Sequence, residues 1–140
     1  MKYIYIASDH AGFKLKEFIT KKLSKKTKII DLGPKTSHSV DYPDFAKKLA
    51  KKISKKNSSF GILVCGSGMG MAIAANKSKK VRAALCYSVK NTKLSRLHNN
   101  ANIITLGERL INKNKAVNLV KIFLSTKFEG GRHLRRIKKM

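Results

Sequence analysis

Phe60-Gly61-Ile62-Leu63-Val64-Cys65-Gly66-Ser67-Gly68-Met69-Gly70 is the stretch that decides the fold. Its first half is an unbroken apolar run, without the alternation of a half-solvated strand, and so reads as a strand covered on both faces. Its second half is a glycine-rich turn that opens a small-residue helix, Met71–Ser78. Strand, glycine turn and helix in that order are the opening of a parallel crossover unit.

The flanking sequence repeats the pattern. Upstream, Tyr3–Ser8 reads as a strand. Gly12–Ser24 reads as a helix with Phe13, Leu15, Phe18, Ile19 and Leu23 inward. Lys28–Leu32 is a second strand, and a polar loop runs through Ser39. The next helix is capped by Asp41 or Tyr42, carries Pro43 in its first turn and extends to about Lys56. Downstream, Val81–Leu85 and Ile103–Leu106 are the fourth and fifth strands, separated by a helix over about Ser88–His98. Asn112–Thr126 is a long final helix, and Phe128–Met140 a basic tail. Strict strand–helix alternation predicts one three-layer α/β domain around a parallel sheet.

Composition removes several function classes. The 140 residues suit a single domain, 1–140. No apolar run approaches the roughly 20 residues of a membrane span, and the N-terminal residues carry no secretory pattern, so a soluble cytoplasmic protein is expected. Cys65 and Cys86 show no zinc or disulfide spacing. The 32 Lys+Arg against 7 Asp+Glu leave +25, but Arg stands only at 82, 96, 109, 132, 135 and 136. The lysine pairs 21-22, 25-26, 47-48, 51-52 and 55-56 alternate with apolar positions, as on the solvated backs of amphipathic helices. Weak attraction to polyanions follows from such a charge; specific nucleic-acid binding does not.

In an open parallel sheet, ligands sit beyond the carboxyl ends of the strands. The segments there are Ser8-Asp9-His10-Ala11-Gly12, Cys65–Gly70 and Gly107-Glu108-Arg109. The unpaired amides of the Gly66–Gly70 turn suit an anion or a developing oxyanion. The turn is not a dinucleotide fingerprint, since it reads G-x-G-x-G and no acidic residue lies between Asp44 and Glu108. Nor is it a nucleophile elbow, because Cys65 and Met69 flank Ser67 where glycines are required. A helix N-terminus favours the thiolate of Cys65, a usable base or nucleophile. Cys86 reads as a small buried hydrophobe. Asp9 could cap the first helix and His98 close the fourth. The arginines after Gly130-Gly131 suit a phosphate or carboxylate.

Taken in order, these segments resemble the type B ribose-5-phosphate isomerases, a family that includes galactose- and allose-6-phosphate isomerases. The likeness is carried by Ser8–Gly12, Asp41-Tyr42-Pro43, Gly61–Gly70, Ala74-Ala75-Asn76-Lys77, Leu94–Asn99, Leu106–Arg109 and Phe128–His133. The resemblance implies a Rossmann-like fold with five parallel strands in order 2-1-3-5-4, no metal, no organic cofactor, and a homodimer or dimer of dimers with shared active sites. It implies interconversion of D-ribose 5-phosphate and D-ribulose 5-phosphate in the non-oxidative pentose phosphate pathway, by ring opening and a cis-enediolate. The implied catalytic set is Cys65 (C2 proton), His98 with Asp9 (ring opening) and Ser67, which stands where many relatives have Thr. The implied substrate contacts are His10, Tyr42, Gly66, Gly68, Met69, Gly70, Asn99, Arg109, Arg132 and Arg136. Residues 127–140 would be a tail reaching an active site, with some arginines crossing the dimer. Some relatives use a Glu just after the loop's last glycine; Met71 stands here, so the cysteine branch applies. A six-carbon sugar phosphate is the alternative substrate, and a non-catalytic polyanion-binding module the remote alternative.

Overall fold

The computed structural model describes residues 2–140. In chain order its elements are β1 (Tyr3–Ser8), α1 (Phe13–Leu23), β2 (Ile29–Asp31), α2 (Tyr42–Lys55), β3 (Ser59–Cys65) and α3 (Met69–Ala75). There follow β4 (Ala83–Leu85), α4 (Val89–Leu97), β5 (Ile103–Gly107), α5 (Lys113–Ser125) and α6 (Arg132–Ile137). The strands form one parallel sheet in the order β2-β1-β3-β5-β4, as the family resemblance implies.

The pleat of β3 sorts the core into two layers. Ile62 and Val64 face α1 and α5, together with Ile19, Leu119 and Phe123. Leu63 and Cys65 face α2 and α3, together with Leu49, Ile53 and Met71. Each fully buried Leu or Ile in these layers contributes roughly 1.5–3 kcal/mol. On α2 the buried residues Ala46, Leu49, Ala50 and Ile53 keep helical spacing, and the lysine pairs between them are exposed. The expected solvated back is therefore what the helix has. One lysine departs from this pattern: Lys16 is fully buried, and its ammonium donates to Asp31 at 2.6 Å, to the Pro34 carbonyl at 2.8 Å and to Glu17 at 3.1 Å.

Two expectations need correction. The third helix begins at Met69, two residues earlier than its sequence pattern, because Gly68 takes a left-handed conformation (φ 76°) and starts the helix directly. The basic tail contains a helical turn, α6, entered through Gly130 and Gly131 at φ 75° and 57°. Among the described residues, no helix is long and apolar enough to cross a membrane.

Candidate functional site

The chain winds from β1 outward to β2, then crosses back to place β3 on the other side of β1. The crevice at this reversal lies between the ends of β1 and β3, and the register keeps those ends level, with Ser8 opposite Val64 and Cys65 opposite Gly107. Asp9 lies against this junction: its N–H donates to the Val64 carbonyl at 3.2 Å, and its carboxylate accepts from Gly12 N–H at 2.9 Å. Its carboxylate thus ties down the turn that precedes α1, whose N-cap is Gly12 rather than the Asp9 that the sequence suggested. A Cβ at Gly12 would run into the Val64 carbonyl, so only glycine lets the two turns pack this closely.

Cys65 ends β3 and is 4% exposed. Its Sγ accepts a hydrogen bond from Gly68 N–H at 3.0 Å. Ser67 Oγ accepts from Met69 N–H at 3.2 Å. Arg109 lies flat on the turn: a Cβ at Gly66 would stand 2.9 Å from its guanidinium, and its own N–H donates to the Gly66 carbonyl at 3.0 Å. Tyr42 covers Gly70, where a Cβ would stand 2.6 Å from the ring. His10 is exposed and receives the Val40 N–H on Nδ1 at 3.2 Å. Glu108, quoted from the sequence without a role, belongs to this end as well. Burial holds its carboxyl above the usual value, Lys14 opposes that, Asp9 adds to it and Arg109 opposes it. Its N–H donates to the Cys65 carbonyl at 2.9 Å. Cys86 is 1% exposed, and burial pushes its thiol up, as an inert core cysteine requires.

The remaining predicted residues lie at the other end of the sheet. Because α4 runs antiparallel to the strands, its last residues emerge below their amino ends. His98 closes the helix there, its N–H donating to Leu94 O at 2.9 Å. Arg82, just before β4, donates from Nε to the carbonyls of Asn99 and Asn100 at 3.0 and 3.1 Å. Asn100 also lines a small polar cavity with Ser59, the first residue of β3. The seven residues of β3 therefore separate Cys65 from this segment by roughly 20 Å. Within the chain the structure gathers Asp9, His10, Tyr42, Ser67, the loop glycines, Met69 and Arg109 around Cys65. It keeps His98, Asn99, Arg132 and Arg136 away from it.

At that second end the tail folds back on α4. Glu129 N–H donates to Leu97 O at 3.1 Å. His133, 6% exposed, stacks on His98 with ring centroids 4.2 Å apart and planes 12° from parallel. One carboxylate oxygen of Glu129 lies 3.9 Å from His98 Nε2, the other 3.9 Å from His133 Nε2. Burial, then the charges of His98 and Arg132, hold His133 below its usual pKa, with Glu129 opposing. One donor atom from each of His98, Glu129 and His133 falls within 4.8 Å of the others. A metal ion, however, lies in the plane of each imidazole that binds it, and two stacked, near-parallel rings share no such point. The sequence could not announce this pair, whose members are 35 positions apart and come from different elements. A groove of about 860 Å³ runs between the tail (Ile137, Met140) and the Asn76–Ala84 segment, with Asn99 at its wall.

The ribose/galactose isomerase family matches residues 4–140. Among solved structures the chain is similar to a ribose 5-phosphate isomerase of Thermotoga maritima, at 51% identity over 98% of this chain and 95% of that one, with a TM-score of 0.94. It is also similar to ribose-5-phosphate isomerase B of Mycoplasma genitalium, solved with bound ribulose-5-phosphate, at 45% identity over 99% and 93% of the two chains and a TM-score of 0.95. Ribose-5-phosphate isomerase B of Escherichia coli is 37% identical, over 98% of this chain and 93% of that protein.

Proposed function

The chain belongs to the ribose/galactose isomerase family and is a sugar phosphate isomerase, and from that premise we propose that it interconverts D-ribose 5-phosphate and D-ribulose 5-phosphate. The observation that carries the reading is the Gly68 amide donating to Cys65 Sγ at the β1/β3 crevice, with Asp9 alongside. A thiolate at this position is the base that the reaction needs. Cys65 removes the C2 proton of the opened aldose and the electrons move to the C1 oxygen as a cis-enediolate; the O2 hydroxyl proton then passes to O1, and the proton held by Cys65 returns to C1 as the C2 carbonyl forms. The charge on the enediolate oxygen falls to the loop amides and Asn99. Such donors are usually worth about 3–4 kcal/mol in the transition state. His98, helped by Asp9, opens the furanose first. His10, Arg109, Arg132 and Arg136 hold the phosphate.

This chemistry needs both ends of the sheet, and one protomer cannot supply both. The site is therefore composite: the thiol end of one protomer faces the His98 and tail end of another, twice over in a two-fold dimer. Exposed apolar side chains support such an association, among them Met69 and Ile73 on α3, Tyr87 and Val89 before and at the start of α4, and Leu110 after β5. The expected solution state is a homodimer or a dimer of dimers.

The deciding experiment compares kcat/KM for ribose 5-phosphate and allose 6-phosphate in a coupled ketose assay, with Cys65→Ala as control. The pentose is expected to be preferred, and Cys65→Ala to lose turnover while still binding it. A preference for the hexose phosphate would replace the substrate, and full turnover by Cys65→Ala would remove the mechanism.

A further inference from the structure

His98 stands at the free end of a helix, and its side chain is 39% exposed. An imidazole there would ordinarily turn about its terminal torsion, which has broad wells. This one does not have that freedom, because His133 covers one of its faces. His133 is itself buried, and its Nε2 has no hydrogen-bond partner. A buried, unpartnered ring nitrogen costs stability unless the ring is needed where it is. The tail that carries it is tied to the same helix end through Glu129 N–H and Leu97 O. The charged groups around the pair are Glu129, between the two Nε2 atoms, and Arg132 and Arg136 on the tail.

We infer that His133 is a positioning residue for the reaction: stacked on His98 and sharing the Glu129 carboxylate with it, its ring fixes the plane in which His98 meets the sugar. The inference rests on the role given to His98 under the proposed function. In ring opening the C1–O4 bond breaks with its electron pair going to O4, which takes a proton from the imidazolium. O1 then gives its proton back to the imidazole and becomes the carbonyl oxygen. Both transfers lie in the plane of one ring, so a ring free to rotate would miss them. Glu129 reaches both rings from the side, one carboxylate oxygen toward each Nε2. His133 itself touches no reacting atom.

The test uses two substrates in the full-length protein. Ribose 5-phosphate must be opened; its 4-deoxy analogue lacks the hydroxyl that closes a furanose and enters as the free aldehyde. His133→Ala is expected to lower kcat on ribose 5-phosphate about 10–100-fold with KM little changed, the scale of a misplaced reacting group. On the 4-deoxy analogue it stays within about twofold of wild type. His133→Phe, which keeps a flat ring on His98, is expected to recover most of the loss. An equal loss on both substrates, a rise in KM alone, full activity of His133→Ala, or a Phe variant no better than Ala would each overturn the inference. His98→Asn, run in parallel, separates the two levels. If it shows no selective loss on ribose 5-phosphate, the role of His98 fails and that of His133 with it. If it does and His133→Ala does not, only the stacking role falls.

Discussion

Mixing two dead variants is the sharpest test of a site divided between protomers. Cys65→Ala removes the thiol at the carboxyl end of β3, and His98→Asn removes the imidazole at the far end of α4. Roughly 20 Å of strand lies between them. Each homodimer carries two identical defective sites. In a mixed two-fold dimer, one site joins the intact thiol end of the His98→Asn chain to the intact imidazole end of the Cys65→Ala chain, and the other site has neither. Random exchange makes half the dimers mixed, so about a quarter of wild-type activity is expected from an equimolar mixture in which the two homodimers show almost none. The assay is ketose formation after co-refolding, or after mild-denaturant exchange followed by dilution. Activity that stays at the level of the separate variants, with exchange verified by differently tagged chains, would refute the composite site.

Gly68→Ala forces a side chain into φ 76°, with its Cβ 2.9 Å from the Leu106 backbone. A left-handed residue costs about 1–2 kcal/mol and overpacking against backbone about 1–3 more, so a loss of about 2–5 kcal/mol in chemical denaturation is expected, together with turnover. Gly70→Ala meets only the movable Tyr42 ring and should lose less than half as much stability; equal losses would contradict the turn geometry. Glu108→Gln should raise Tm at neutral pH. Its carboxyl is held above the unfolded value by burial, so the stability it confers is full below about pH 4.3 and is lost as pH rises through the folded value. The gain should vanish in melts near pH 4, and a gain independent of pH would rule the cause out. Asp31→Asn weakens the compensation of the buried Lys16 ammonium and should destabilise by about 3 kcal/mol in urea titrations, whereas an unchanged midpoint would mean that the pair contributes nothing.

The layered fold was legible because its strands are apolar on both faces and its helices carry lysine at regular intervals, so the period changes cleanly at each junction. What escaped the pattern has local causes. The start of α3 depends on a positive φ at Gly68, and a glycine in sequence does not declare which way it will turn. The helical turn at Arg132–Ile137 has too few apolar residues to show a period. Lys16 looks like another solvated lysine until Asp31 at the end of β2 and the Pro34 carbonyl just after it converge on it from 15–18 residues away. The Cys65 end of the site was readable because its parts follow strands directly. The stacking of His133 on His98 was not, since it depends on how a tail docks.

The same topology constrains what determines sugar length. In any right-handed strand–helix–strand crossover, the helix returns its last residue to the end opposite the strand's own carboxyl terminus. No loop movement within one chain can therefore carry His98 to Cys65; only a second chain can. On the composite reading, Arg132 and Arg136 travel with His98 as one unit, because the tail is tied to α4 by the Glu129–Leu97 hydrogen bond and the imidazole stack. The distance from Arg132 and Arg136 to the thiol is then fixed by how two protomers dock, while His10 and Arg109 ride with the thiol on its own chain. Preference for a five- or six-carbon chain becomes a property of the interface. Substitutions at Ile73, an exposed apolar residue of α3 with no substrate role, should shift the ratio of pentose to hexose turnover without touching a residue that contacts either sugar.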